Sequence, residues 1–413
     1  MQSPPLLKKI LLGLSAVGPG LFLIGYNIGT GSVTTMAKTG ANYGMSLFWA
    51  LLLSCIFTYI LMIAYGKVNL VSGKTILFNF NQEFSWGKWL SIYIIIALVL
   101  GELLALMGVM GIVADLVQEG ISLLSNGFIA SRFWIILFFS VLIFLLIRKG
   151  SFANFEKVLT ILVILMGLSF LLVFFMLKPD WNALLSGLVP SIPDTPGALG
   201  LIAAIAGTTC SAAVFVMRSS VLAEKGWGIK DLKKEKKDAF VSAAMMLFLS
   251  AIIMALGAGT LKVLGLSLEK TTDMIHLLEP IGGRAAAFML IIGITGAGLS
   301  TIFPIVLIAP WLIADYQGKE RNIQSSQSQL LIAIALVFAF GSVLLEQRPP
   351  ALMIFSQAFQ ACILPAVAIP IFMLINKKSL MKEHVASKTL NMGIIAVIIF
   401  SFLTTYFVIA DFL

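Results

Sequence analysis

The feature that most constrains this chain is a succession of long apolar runs separated by short polar segments. A helix needs about 20 apolar residues to cross the hydrocarbon core of a bilayer, and eleven runs reach or approach that length. Only 11% of the 413 residues are charged, whereas a soluble domain has about 25%. The sequence therefore predicts an all-α membrane protein with eleven transmembrane helices. The predicted spans are Ile10–Ala37, Gly44–Ala64, Leu90–Val113, Phe133–Ile147, Val158–Leu177, Leu199–Val221, Ala239–Leu261, Ala285–Ile313, Leu330–Leu345, Ala351–Ile375 and Leu390–Phe412.

Two of these spans are interrupted by glycine and small polar residues. The first contains GYNIGTGSVTTMAKTGANYG over Gly25–Gly44, and the sixth contains GTTCSAA over Gly207–Ala213. Backbone polar groups cannot stay unpaired in lipid, so such stretches indicate a helix break that faces protein or a water-filled cavity. Paired breaks in the two halves of a chain are typical of the binding site in repeat-built secondary transporters. From the breaks we predict the substrate-binding residues Asn27, Gly29, Thr30, Gly31, Ser32, Thr208, Thr209, Cys210 and Ser211.

The basic residues predict the orientation in the membrane. Most of the 28 Lys and Arg residues lie in alternate loops, on the same side as Lys8 and Lys9, which precede a first span that we expect to be uncleaved. This bias predicts a cytoplasmic membrane protein with its N-terminus in the cytoplasm and its C-terminus outside. The most charged segment, Glu224–Asp238, is predicted to be a cytoplasmic loop. Because the basic residues are spread over several loops, a nucleic-acid partner is not expected.

Several segments carry a resemblance to a known family. They are PDWNALLSGLVPSIP (Pro179–Pro193), HLLEPIGGRAAAFMLIIGITGAGLS (His276–Ser300) and ALMIFSQAFQACILPAVAIPIFML (Ala351–Leu374), together with AVGPG and TGANYG near the N-terminus. These segments resemble the Nramp family of proton-coupled divalent-metal transporters. The resemblance implies a LeuT-like fold in a single membrane domain. In it, residues 8–177 and 197–376 form two inverted five-helix repeats, and residues 390–412 form an added eleventh helix.

The chain departs from this family at the metal-binding motifs. Where the family has Asp-Pro-Gly-Asn in its first helix, this chain has Gly29-Thr30-Gly31-Ser32. In the sixth helix, the family's Met-Pro-His aligns with Ser211-Ala212-Ala213 when its later His is placed at Arg218. An alignment shifted by one residue instead places Cys210 at the position of the Met. Transition metals favour carboxylate, imidazole and thioether donors, so the substitutions predict a substrate that is not a transition metal.

Two charged residues lie well inside predicted spans, Glu102 and Arg218. An intramembrane charge indicates a functional site by default. Arg218 is predicted either to attract an anion or gate the site, or to extend toward the membrane surface. Glu102 falls on the first of two carboxylates that the family uses to move protons, with Ala105 on the second. It could carry a proton, bind sodium, or simply pair with Arg218.

Three uncharged residues complete the predicted site. Gln357 matches a glutamine of the family's tenth helix and is predicted to bind substrate, with interhelical hydrogen bonding as the alternative. Ser300 and Thr301 are predicted to hold a coupling ion, although hydroxyls are also common where membrane helices pack.

The sequence thus predicts a secondary transporter for a small anion such as bicarbonate or a carboxylate, because half-helix N-termini and Arg218 would attract negative charge. One alternative is a divalent metal transporter for manganese, iron or magnesium that uses Cys210 and Gln357. Another is a receptor or scaffold that moves nothing. The chain has two His residues and no catalytic motif, so an enzyme is not expected. We expect no cofactor. We expect sodium or protons to be co-transported with the substrate, the lipid bilayer to surround the protein, and a monomer to be sufficient for function.

Overall fold

The computed structural model describes residues 29–125, 127–150, 152–177, 181–281, 283–344 and 349–412. Within these ranges the chain is helical and contains no β-strand. The helices are α1 (Thr30–Tyr43), α2 (Phe48–Ser72), α3 (Ile76–Glu83), α4 (Gly87–Leu124), α5 (Arg132–Arg148), α6 (Phe152–Met176), α7 (Trp181–Ser186), α8 (Ala198–Thr209), α9 (Ala212–Glu224), α10 (Leu232–Gly259), α11 (Gly283–Gln317), α12 (Ser326–Phe338), α13 (Gly341–Leu344), α14 (Pro349–Ala361), α15 (Leu364–Ile375), α16 (Lys378–Met381) and α17 (Lys388–Phe412).

Eight stretches of the described chain are long and apolar enough to cross a membrane: α2, α4, α8 with α9, α10, α11, α12 with α13, α14 with α15, and α17. The first predicted span is described only from residue 29 onward, so its earlier part lies outside the described residues. The all-helical class is confirmed, whereas the total of eleven spans and the two inverted repeats remain predictions.

The sixth predicted span is broken where the sequence predicted. Helix α8 ends at Thr209 and α9 begins at Ala212, and Cys210 between them leaves helical geometry with a ψ of 49°. In the first span, Gly29 has extended backbone angles and α1 begins at the next residue. Both small-residue stretches therefore contain a helix end in the middle of an apolar segment.

Other helix ends differ from the predicted ones. The tenth predicted span is also interrupted, between α14 and α15, because Pro365 lies in the first turn of α15 and cannot donate a backbone hydrogen bond. The segment Glu224–Asp238 was predicted to be a loop, but α10 already begins at Leu232. That prediction was wrong for its second half, because two carboxylates there are buried rather than solvated.

The core is built by close pairs of helices. Helix α1 packs on α10, α4 packs on α11, and α14 packs on both α4 and α8. Glycine permits the closest approach, since a Cβ at Gly207 of α8 would overlap the carbonyl oxygen of Gln357 in α14. Small residues at such crossings let membrane helices come into backbone contact. The ends of α1 and α8 are thereby brought against α4, α11 and α14.

We predict that Gly207→Ala lowers the melting temperature of the purified protein. The added methyl group must displace backbone, and overpacking of this kind costs about 1–3 kcal/mol. Gly167→Ala in α6 is the matched control, because no described atom lies within 4 Å of its new Cβ. Thermal unfolding in detergent measures both variants. Equal melting temperatures for the two would contradict the close packing of α8 on α14.

Candidate functional site

The two helix breaks meet in the middle of the protein. The hydroxyl oxygens of Ser32, in the first turn of α1, and Thr208, in the last turn of α8, are 3.0 Å apart and share a hydrogen bond. Ser32 is 1% exposed and Thr208 is 4% exposed, so this contact is shielded from solvent. The predicted pairing of the two stretches is thus a direct contact between side chains 176 positions apart.

Neighbouring helices provide hydrogen-bond partners for two of the groups around the second break. The Thr58 hydroxyl of α2 donates a hydrogen bond to the Thr209 carbonyl oxygen at 2.9 Å. The Ser211 hydroxyl donates to the Gln360 side-chain oxygen in α14 at 2.8 Å. Because polar groups left unpaired in a buried site are costly, these bonds stabilise the interrupted helix.

A small cavity lies between α1, α4, α8, α11 and α14. It encloses about 30 Å³, room for one or two water-sized particles. Six predicted substrate-binding residues line it: Gly29, Gly31, Ser32, Thr208, Ser211 and Gln357. Two predicted coupling residues, Glu102 and Thr301, line it as well. The cavity therefore joins residues predicted for substrate and for coupling in one place.

Glu102 is the one ionisable side chain in the described lining of this cavity. Glu102 is 2% exposed, and the Gln360 amide nitrogen donates a hydrogen bond to its carboxylate at 2.9 Å. No Lys, Arg or His lines the cavity among the described residues. Hydroxyl, carboxamide and carboxylate oxygens converge here, and the wall also contains the thioether of Met353. Such a donor set suits a small cation better than an anion.

Sequence reasoning missed Gln360 and Met353, which both line the cavity. They lie three positions after and four positions before Gln357 on the same helix, α14. Residues at this spacing share one helix face. The helical period around Gln357 was therefore the signal that could have found them.

Four other predicted residues that the structure describes do not line the cavity: Thr30, Thr209, Cys210 and Ser300. Thr30 and Thr209 are buried, and within the described chain their hydroxyl oxygens have no hydrogen-bond partner. Cys210 is fully buried. The Ser300 hydroxyl donates to the Ala297 carbonyl oxygen of its own helix at 2.8 Å. Asn27 lies outside the described residues.

Arg218 has a different environment from the one predicted. It is completely buried, so it does not extend to the membrane surface. Its Nε donates to Glu235 and its Nη2 donates to Asp238, both at 2.8 Å and both on α10. The alternative in which Glu102 simply pairs with Arg218 is not what the structure shows, since Glu102 accepts a hydrogen bond from Gln360. Two carboxylates compensate this guanidinium, so it offers no free positive charge to an anion.

Comparison with known proteins decides the family. The model of the Nramp family, described as natural resistance-associated macrophage protein-like, matches residues 20–411. The chain belongs to the Nramp family. It is 25% identical to the divalent metal cation transporter MntH of Ralstonia nicotianae over 400 residues, which are 91% of this chain and 86% of the relative. It is 22% identical to MntH of Yersinia enterocolitica, covering 99% and 98% of the two chains.

Solved structures show the same fold. The chain superposes on the manganese transporter of Eremococcus coleocola with a TM-score of 0.77 at 16% identity, covering 100% of this chain and 89% of that one. It superposes on Mhp1, a nucleobase-cation-symport-1 family transporter, with a TM-score of 0.63 at 14% identity, covering 96% and 92%. The predicted LeuT-like fold is confirmed, and this Nramp protein is a membrane transporter rather than an enzyme.

We predict that Ser211 and Gln360 are energetically coupled. Ser211→Ala and Gln360→Leu should each lower stability, and the double variant should lose about 1 kcal/mol less than the sum of the two, since both single changes remove the same hydrogen bond. A double-mutant cycle on thermal unfolding in detergent measures this coupling. Additive losses would show that the two side chains do not interact.

Proposed function

We propose that this Nramp protein is a secondary active transporter of a small divalent cation that prefers oxygen ligands, Mg²⁺ or Mn²⁺, and that the cation binds in the cavity where α1 meets α8. The observation that carries the proposal is Glu102, a buried carboxylate in a cavity whose described lining contains no cationic side chain. A cation would compensate this charge, whereas an anion would be repelled by it.

The donors around Glu102 support a hard cation. Gln357 and Gln360 bring carboxamide groups, and Ser32, Thr208 and Thr301 bring hydroxyls to the same cavity. Magnesium is typically held by one or two carboxylates while it keeps several waters, and manganese accepts the same oxygen ligands. Cys210, which the metal alternative invoked, is buried outside this lining, so we assign it no ligand role. Gln357 remains a proposed metal ligand, as in the divalent-metal alternative.

The anion hypothesis loses its main physical support. It depended on Arg218, which lies in a compensated cluster with Glu235 and Asp238. The relatives also favour a cation, because the MntH proteins are described as divalent metal cation transporters and the Eremococcus coleocola protein as a manganese transporter. A cation substrate therefore accounts for more of the site than bicarbonate or a carboxylate does.

We further propose that Glu102 takes part in coupling. Glu102 and Thr301 both line the cavity. A proton or sodium ion held by these residues would therefore compete with substrate binding or assist it. Ser300 is not included, because its hydroxyl bonds within its own helix.

The basic loops support insertion in the cytoplasmic membrane with the N-terminus in the cytoplasm and the C-terminus outside. A monomer contains the whole proposed site.

We predict that proteoliposomes containing the purified protein take up Mn²⁺ or Mg²⁺ saturably, and that Glu102→Gln lowers uptake about tenfold or more. The change keeps the shape but removes a charged ligand interaction of about 1.5–3 kcal/mol. Quenching of trapped calcein reports Mn²⁺, and a trapped magnesium-sensitive dye reports Mg²⁺. Glu119→Gln is the control, because Glu119 lies about 25 Å along the same helix and does not line the cavity. Equal losses in the two variants would remove Glu102 from the site.

A trapped pH dye in the same vesicles separates the competing functions. Cation uptake coupled to protons is expected to acidify the lumen only when the cation is added. Bicarbonate uptake would make the lumen alkaline and would restore the anion hypothesis. Absence of flux for both, with a cation-dependent rise in melting temperature, would favour a receptor or scaffold. Protein-free vesicles are the blank.

A further inference from the structure

A second cavity lies apart from the substrate cavity, between the ends of α1, α6 and α10 and the short helix α7. It encloses about 370 Å³, against about 30 Å³ for the substrate cavity. Ligand pockets of proteins typically enclose roughly 300–1,000 Å³. In the proposed orientation these helix ends face the outside, so the cavity lies at the outer surface of the membrane. The function proposed above does not use it.

Small residues near the end of α10 leave the space for this cavity. Ala255, Ala258 and Gly259 lie three or four positions apart, on one face of the helix, and all three line the cavity. Phe174 of α6 and Leu177, which follows this helix, also line it. The walls are therefore mainly apolar.

The hydroxyl groups of the cavity already have acceptors. Tyr43, Ser46 and Ser186 line it, and each hydroxyl donates to a backbone carbonyl oxygen, at 2.8, 2.8 and 3.0 Å respectively. Among the side chains of the described lining, the one donor left for a ligand is the ammonium group of Lys262.

Lys262 is also the one charged side chain of the described lining. It is exposed, and within the described chain its ammonium group forms no hydrogen bond or ion pair. Lys38, on the same side of the protein, differs because it pairs with Glu269 at 2.8 Å. The Lys262 ammonium nitrogen lies beside Gly44, where a Cβ would be 3.2 Å from it. The cavity thus combines apolar walls with one uncompensated positive charge.

This combination fits a molecule with an apolar tail and an anionic head. The tail would cover the walls, and a phosphate or carboxylate head would form a charge-assisted hydrogen bond with the ammonium group. A free inorganic anion would leave the apolar walls uncovered. A zwitterionic head would bring its own cation to the lysine, which weakens the attraction.

We propose that this cavity binds an anionic phospholipid of the outer leaflet, with the head-group phosphate at Lys262 and part of an acyl chain against Phe174 and the small face of α10. The lipid contacts the end of α1, about 16 Å along this helix from Ser32 in the substrate cavity. The proposal does not depend on the proposed function, because lipid binding requires neither a substrate cation nor transport.

Native mass spectrometry of the purified full-length protein tests this proposal. The probe is dioleoylphosphatidylglycerol, and the comparison is dioleoylphosphatidylcholine, which has the same acyl chains and no net charge. We expect one phosphatidylglycerol to be retained more tightly than phosphatidylcholine. Lys262→Ala should weaken its binding about fivefold, the effect of one lysine at a membrane surface. Lys270→Ala is the matched control and should bind like the wild type, because Lys270 is an exposed lysine of the same loop that does not line the cavity.

A second pair of variants tests the apolar part of the cavity. Ala255→Leu fills part of the space and leaves Lys262 in place, so it should also weaken phosphatidylglycerol binding. Ala251→Leu, one turn earlier on α10, is the control, because Ala251 does not line the cavity.

Inorganic phosphate in excess separates a lipid site from a free-anion site, and we expect it to leave the bound phosphatidylglycerol in place. Three results would overturn the proposal. The first is equal retention of the two lipids, and the second is an equal loss of binding in Lys262→Ala and Lys270→Ala. The third is displacement of phosphatidylglycerol by inorganic phosphate alone, which would indicate a site for a free anion.

Discussion

The structure depends on one constraint, which is that an interrupted helix inside a membrane must find partners for its backbone and side-chain polar groups within the protein. The hydrogen bond between Ser32 and Thr208 joins the two helix ends, and Thr58 supports the second break through the Thr209 carbonyl. Glycine allows the neighbouring helix to approach closely enough to complete this arrangement. The cavity is the space that remains where these helix ends meet α4, α11 and α14.

Buried charged side chains lie in two separate places. Glu102 lies in the cavity with carboxamides and hydroxyls, while Arg218 is held with two carboxylates on the neighbouring α10. In the function that we propose, a chain without the Asp-Pro-Gly-Asn and Met-Pro-His motifs binds its cation with a carboxylate from α4 rather than from the first helix, and with amides from α14.

Much of the cavity lining could be predicted because helix breaks leave a local signature. Glycine and hydroxyl residues in apolar runs identified Gly29, Gly31, Ser32, Thr208 and Ser211, and the family resemblance added Gln357. The environment of Arg218 could not be predicted in the same way. Its partners lie in a lysine-rich segment typical of a solvated loop, and only the start of α10 at Leu232 turns them toward α9. The anion hypothesis lost support for the same reason. It required Arg218 to be free to attract an anion, and the ion pairs of Arg218 with Glu235 and Asp238 are not visible in any local sequence pattern.

The central claim is that the cavity where α1 meets α8 binds a cation, and anomalous scattering from crystals grown with Mn²⁺ tests it most directly. The account predicts one manganese peak in this cavity, at about 2.0–2.6 Å from a Glu102 oxygen or from the side-chain oxygen of Gln357 or Gln360. An empty cavity in crystals soaked to saturation, or a peak confined to another part of the protein, would contradict it.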